Sequence, residues 1–161
     1  MESRALYTLA VYDRATEDRL SAMRRALFDA GFIGRETGGI PYHITLSSFP
    51  LDREAELTQR LARAAARVPA FELPLSSLGL FGMNVLFIAP AVNRPLLDLR
   101  DELGEEAGWT AHTTMLIDDA ETIQAALPLL AGLFKPFVAR VEAVRLYEFW
   151  PSRLIAEERL R

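Results

Sequence analysis

The chain has 161 residues, no cysteine and a formal net charge of −4, and half of its residues are hydrophobic. The length fits one domain, and the absence of cysteine excludes disulfides and thiolate zinc sites. The negative charge argues against a protein that coats nucleic acid. The sequence contains no run of about 18 uncharged apolar residues, which is the pattern that would predict a membrane span.

The first half of the chain alternates strand-like and helix-like segments. Its first helix is predicted from Thr16, as the N-cap, to Ala30, because apolar residues recur there at helical spacing and Gly31 follows as a stop signal. The predicted elements of this half are, in order, a strand at 5–12, this helix, a strand at 42–47, a helix starting at Asp52 and a strand at 71–75.

The second half repeats this order. Asn93 and Pro95 suit the N-terminus of a helix that ends at Gly108, and Asp118 with Glu121 three residues later resembles a capping box. The predicted elements of this half are a strand at 84–89, a helix at 93–108, a strand at 112–117, a helix from 118 to about 134, and a closing hairpin with strands at 138–150 and 154–160.

The two halves can be laid over each other as strand, helix, loop, strand, helix and strand. Residues 5–7 then align with residues 85–87, and the two histidines of the chain fall at matching places. This weak internal repeat predicts a pseudo-two-fold arrangement. We expect the functional site between the halves, where ligand pockets are often found.

Each histidine opens the same short pattern of His, any residue, Thr and a hydrophobic residue. The pattern begins at His43, with Thr45 two positions on, and again at His112, followed by Thr114. Residues i and i+2 of a β-strand point to the same face, so each strand would present an imidazole beside a hydroxyl. Two such strands facing each other would form a pocket with two proton-transfer groups and two hydrogen-bond donors.

This inventory suits the hydrolysis of a cyclic phosphodiester. The reaction needs a base that takes a proton from water and an acid that protonates the leaving oxygen, and two imidazoles can fill these roles near neutral pH. The threonine hydroxyls can donate to the phosphate oxygens as negative charge develops. The chemistry requires neither a metal nor a cofactor, and no carboxylate accompanies either histidine at metal-ligand spacing.

These paired motifs in a duplicated chain resemble the two-histidine (2H) phosphoesterase superfamily, and within it the bacterial 2′-5′ RNA ligase-like proteins, which include RNA 2′,3′-cyclic phosphodiesterases. The resemblance covers residues 1–161 and implies a single α+β domain. In that fold two pseudo-two-fold-related lobes, each an antiparallel sheet with outer helices, flank a central cleft. The resemblance implies that His43 and His112 are catalytic and that Thr45 and Thr114 bind the substrate phosphate.

The expected function is metal-independent hydrolysis of a 2′,3′-cyclic phosphate, or of a related cyclic or 2′-5′ phosphodiester, on a nucleotide or RNA end, with reversible 2′-5′ RNA ligation as a further activity of the family. The alternative is a protein of the same fold that binds a nucleotide or phosphorylated ligand without turnover. A third interpretation treats both motifs as incidental in a structural protein. We expect a cytoplasmic monomer with a small nucleotide or RNA-end partner and no membrane partner.

Three aromatic residues are candidates for lining the cleft. Tyr7 and Phe87 lie on the matched first strands and could stack a base, although core packing is the favoured interpretation of both. Tyr42 precedes the first motif and could contact the phosphate or form the cleft wall. The adjacent pair Arg24-Arg25 is interpreted as a solvated helix face.

Overall fold

The computed structural model describes residues 4–35 and 38–161, which form an α+β fold as the sequence predicts. The strands are β1 (Ala5–Tyr12), β2 (His43–Phe49), β3 (Phe71–Phe81), β4 (Val85–Pro90), β5 (Thr113–Ile117), β6 (Phe137–Phe149) and β7 (Arg153–Arg159). The α-helices are α1 (Arg14–Asp29), α2 (Glu54–Arg67), α3 (Arg94–Leu103) and α4 (Ala120–Leu133), and a 3-10 turn (Leu51–Arg53) precedes α2.

Within the described ranges, the strands form one antiparallel sheet in the order β2-β1-β6-β3-β4-β5, and β7 pairs with β6. Exchanging the two sequence halves, so that β1 replaces β4, β2 replaces β5 and β3 replaces β6, gives the same order in reverse. The sheet therefore has the pseudo-symmetry that the internal repeat predicts. The pairing of β3 with β6 joins the halves at the centre, so the motif strands β2 and β5 end the main strand order.

The helices cover one face of the sheet with a shared apolar core. Helix α1 packs against α4, and α2 packs against α3, so each helix pair draws one member from each half. Leu20, Leu61, Leu99 and Ile123, one from each helix, are fully buried in this core. None of the helices in the described ranges combines the length and apolar character needed to cross a membrane.

Two helices have N-caps other than those predicted. The N-cap of α1 is Asp13, whose carboxylate accepts a hydrogen bond from the backbone N–H of Thr16, so the prediction of Thr16 as the cap was wrong. The N-cap of α4 is likewise Asp119 rather than Asp118, with Thr122 as the donor. In both places two residues of capping type lie close together. The residue that forms the cap is the one whose side-chain oxygen can accept from the backbone N–H three residues later, which lacks a helical partner.

Helix α3 is shorter than predicted because it ends at Leu103 instead of Gly108. At Gly104 the side chain of Arg100 folds back so closely that a Cβ atom would lie 1.6 Å from Arg100 Nη1. The guanidinium then lies over the ring of Trp109, with its Cζ 5.4 Å from the ring centroid. Residues 104–112 therefore form a loop that approaches the first motif strand.

We expect Asp13→Ala to lower the free energy of unfolding by about 1 kcal/mol, because it removes the N-cap of α1. Chemical denaturation measures the change. Asp18→Ala on the same helix is the matched control, since Asp18 makes an exposed ion pair with Arg14 and should change stability by less than about 0.5 kcal/mol. Equal losses for the two variants would contradict the capping role.

Candidate functional site

The two motif strands meet at the buried side chain of Thr113. Its Oγ1 donates a hydrogen bond to the backbone carbonyl of His43, at 3.1 Å, and lies 2.7 Å from the phenol oxygen of Tyr12. Because a threonine hydroxyl has a single proton, the Tyr12 phenol is the donor in the second contact. Burial raises the pKa of Tyr12, which keeps the phenol protonated for that role. The position between His112 and Thr114 thus attaches β5 to β2.

Both imidazole rings are held in the same way. Nδ1 of His43 lies 2.8 Å from the carbonyl oxygen of Pro41, and Nδ1 of His112 lies 2.9 Å from the carbonyl oxygen of Thr110. A carbonyl oxygen only accepts hydrogen bonds, so Nδ1 carries the proton in each neutral ring. Nε2 is then the nitrogen that can accept a proton, and each ring is oriented by the carbonyl two residues before it.

The electrostatic environment favours the neutral form of both rings. Burial lowers the pKa of His43, and a positive charge on His112 lowers it further, while the hydrogen bond to Pro41 acts in the opposite direction. Burial also lowers the pKa of His112, against its bond to Thr110. The influence of His112 on His43 indicates that the two rings are close enough for a charge on one to disfavour a charge on the other.

Aromatic rings support His112. The ring of Phe81 meets it edge-on, with centroids 4.6 Å apart, and the ring of Phe87 lies 5.3 Å away at 58°. Phe87 occupies this position because Gly79 on the neighbouring strand has no side chain; a Cβ atom there would lie 2.4 Å from the Phe87 ring. Gly79 therefore lets the ring lie against the sheet beneath His112.

A carboxylate supports the segment before His43. The backbone N–H of Tyr42 donates to Oε1 of Glu17, at 2.7 Å, and Pro41 on its other side accepts from the His43 ring. Burial raises the pKa of Glu17, while the bond from Tyr42 favours the ionised form. Nothing in the sequence identifies Glu17, because this contact joins the first turn of α1 to a loop 25 residues away.

The four motif residues line two cavities in a crossed arrangement. His43 and Thr114 line a cavity of about 1290 Å³, the large cavity, whereas Thr45 and His112 line one of about 250 Å³, the small cavity. Each cavity thus combines the histidine of one motif with the threonine of the other. The indole N–H of Trp109, in the wall of the small cavity, donates to the carbonyl oxygen of Thr45 at 2.9 Å.

The candidate cleft residues occupy different positions. Tyr42 lines the large cavity beside His43. Tyr7 packs against Phe149, which lines the large cavity, with ring centroids 4.9 Å apart. Phe87 is buried under His112. Tyr7 and Phe87 therefore touch rings at the site, and neither is among the described residues that line the two cavities.

Sequence reasoning missed a basic wall of the large cavity. Arg24 and Arg25 line this cavity, although the sequence was interpreted there as a solvated helix face. Arg24 donates to the carbonyl oxygens of Phe32 and Ile33, which follow the end of α1. Among all the residues that the structure describes, the site included, no group of three or more His, Asp or Glu side chains could hold a metal ion.

We expect Gly79→Ala to lower the free energy of unfolding by about 1–3 kcal/mol, because the new methyl group would overlap the Phe87 ring. Phe87→Leu should reduce this penalty in the double variant, which a double-mutant cycle by chemical denaturation measures. Gly132→Ala is the control: apart from the adjacent residues and the local backbone of α4, no atom lies within 4 Å of its Cβ position, so it should be neutral or stabilising. Additive effects at positions 79 and 87 would contradict the contact.

Known structures of the same fold cover nearly the whole chain. A phosphoesterase crystal structure superposes with a TM-score of 0.71 and 18% sequence identity, covering 98% of this chain and 99% of that chain. E. coli LigT in its apo form gives a TM-score of 0.67 at 17% identity, and its complex with ATP gives 0.69 at 20%, each covering 99% of both chains. No curated protein matches the chain significantly in sequence.

The sequence itself carries a family signature. The profile of the 2′-5′ RNA ligase superfamily matches residues 12–149. This range contains both His-x-Thr motifs and the five strands from β2 to β6. That range is most of the chain, and the match agrees with the resemblance to two-histidine phosphoesterases that the paired motifs indicate. The chain belongs to the 2′-5′ RNA ligase superfamily.

Proposed function

We propose that this protein is a metal-independent phosphoesterase that hydrolyses a 2′,3′-cyclic phosphate, or a related cyclic or 2′-5′ phosphodiester, on a nucleotide or RNA end. The observation that carries the proposal is that the two imidazoles are held in the same tautomer by the same kind of hydrogen bond. Both rings are bonded through Nδ1 to a backbone carbonyl, and they lie where β2 and β5 begin, at the point where Thr113 joins these strands. Two preorganised Nε2 atoms next to one phosphate site are what acid–base hydrolysis requires.

In the proposed reaction, His43 is the base and His112 is the acid. Repulsion between the two rings favours a state in which one imidazole is neutral while the other is protonated, and we take His43 as the neutral one. Nε2 of His43 takes a proton from water as the water oxygen bonds to phosphorus. The bond from phosphorus to one ribose oxygen breaks, and that oxygen takes the proton from Nε2 of His112. A phosphomonoester and a free hydroxyl result.

Thr45 and Thr114 complete the proposed site as hydrogen-bond donors to the non-bridging oxygens. Each threonine lines one cavity together with the histidine of the other motif. A phosphate bound between the two rings would therefore have a hydroxyl on either side. Such donors contribute most where charge develops in the transition state. E. coli LigT, which shares the fold, has been crystallised with phosphate, 3′-AMP and ATP, which supports a nucleotide as the ligand class.

We expect His43→Ala and His112→Ala each to lower kcat at least about 100-fold on a 2′,3′-cyclic nucleotide, because each removes a proton-transfer group. Thr45→Val and Thr114→Val should lower kcat/KM about 10- to 100-fold, and wild-type activity should persist in EDTA. Thr58→Val is the matched control, since its hydroxyl is bonded to Glu54 in its own helix, outside both cavities. Ligand binding by calorimetry without any product would instead indicate a non-catalytic binding protein.

The pH dependence of kcat/KM gives a separate test, because kcat/KM reports the ionisation of the free enzyme. Activity should fall at acid pH as His43 gains a proton and at alkaline pH as His112 loses one. Since burial lowers both pKa values below the ordinary value of about 6.5, the maximum of the bell should lie below pH 6.5. A maximum at pH 7.5 or above would contradict this electrostatic account.

A further inference from the structure

The two cavities beside the motif residues differ in charge. The described lining of the large cavity includes three arginines, Arg24, Arg25 and Arg35, and no carboxylate. The described lining of the small cavity includes Glu106 and no arginine or lysine. A substrate with negative charge beyond its scissile phosphate would therefore place that charge in the large cavity.

Arg25 differs from the two other arginines of that wall. Arg24 is bonded to backbone carbonyls, and Arg35 forms ion pairs with Asp118 and Asp119. Arg25 is exposed on α1 and has no ion pair or hydrogen bond with any described residue. No described residue neutralises its charge, which lies at the edge of a cavity that also contains His43. A guanidinium in this position suits a phosphate group, which it can bind with two parallel hydrogen bonds.

An aromatic ring faces the same cavity from the turn between β6 and β7. Trp150 lines it, with 41% of the residue exposed, and stacks on Phe149 with centroids 4.5 Å apart and an interplanar angle of 22°. Phe149 stacks in turn on Tyr147, at 5.4 Å and 22°. This column fixes one face of the indole, and an exposed indole is a platform on which a nucleobase can stack.

The volume of the large cavity fits these contacts. At about 1290 Å³ it exceeds the roughly 300–1,000 Å³ of typical small-molecule pockets, so it can hold a nucleotide and not only a phosphate. The small cavity, at about 250 Å³, lies below that range. The base and any remote phosphate therefore belong on the His43 side of the site.

We propose that the large cavity is a subsite for a nucleotide that carries a second phosphate, remote from the scissile one, with that phosphate bound by Arg25 and the base stacked on Trp150. This inference rests on the proposed function and names its substrate class. Two substrates share this chemistry: a nucleoside 2′,3′-cyclic phosphate with a 5′-phosphate, and the 3′ end of an RNA strand, whose last nucleotide has a 5′ phosphodiester.

The test compares kcat/KM for three substrates with the same base: a nucleoside 2′,3′-cyclic phosphate, its 5′-phosphorylated form, and a dinucleotide ending in a cyclic phosphate. The wild-type protein should prefer a substrate with the second phosphate by roughly tenfold or more. A preference for the monoester identifies the free nucleotide, and an equal or greater preference for the dinucleotide identifies the RNA end. The absence of both preferences would overturn the proposal.

Variants of Arg25 and Trp150 test whether these residues cause the preference for a second phosphate. In Arg25→Ala the ratio of kcat/KM with and without the second phosphate should fall towards one, and Arg25→Lys should restore part of it. Arg14→Ala, at an exposed arginine of the same helix outside the cavity lining, should keep the wild-type ratio. Trp150→Ala should raise KM about tenfold or more for all three substrates, and Trp150→Phe should largely restore it. A ratio that survives in Arg25→Ala would overturn the assignment of Arg25.

Binding measurements separate this inference from the proposed function. Calorimetry with a nucleoside 3′-phosphate and the corresponding 3′,5′-bisphosphate requires no turnover. Tighter binding of the bisphosphate that is lost in Arg25→Ala, without hydrolysis of any substrate, would support the subsite and overturn the enzyme. Hydrolysis without that difference in binding would support the proposed enzyme and overturn the subsite.

Discussion

The site depends on one buried hydroxyl group. Thr113 Oγ1 bonds to the carbonyl oxygen of His43 and accepts from Tyr12, so it connects the two ends of the strand order at the place where both motifs begin. Residues alternate between the faces of a strand, so a side chain at 113 that points into the protein leaves His112 and Thr114 on the opposite face. The same contact therefore sets both the distance between the strands and the direction of the motif side chains.

The backbone of the site is nearly symmetric, whereas its surroundings are not. Each histidine is bonded to the carbonyl two residues before it, which gives both rings the same tautomer. His43, however, follows a segment held by Glu17, and His112 is packed against two phenylalanine rings. Because the surroundings alone differ, any difference in pKa between the two rings comes from the surroundings rather than from the motifs.

The sequence predicted the parts of the structure that depend on local periodicity. The order of the strands and helices and the closing hairpin are confirmed, because alternation and helical spacing are properties of neighbouring residues. The caps at Asp13 and Asp119 were misplaced, because nearby residues of similar type competed for the role. The contact of Glu17 and the place of Arg25 in the wall of the large cavity were not identified, because both depend on how α1 packs against segments far away in the chain.

The crossed sharing of motif residues has a consequence for how such a site can be assembled. One half of the chain would supply a histidine for one cavity and a threonine for the other, so neither cavity would be complete without the second half. Two separate half-chains would have to associate, and their symmetric dimer would contain two identical cavities. Joining the halves covalently makes assembly independent of protein concentration and allows each cavity its own walls. The covalent link thus gives the site a polarity, with a spacious basic side and a small acidic side, that a symmetric pair could not have.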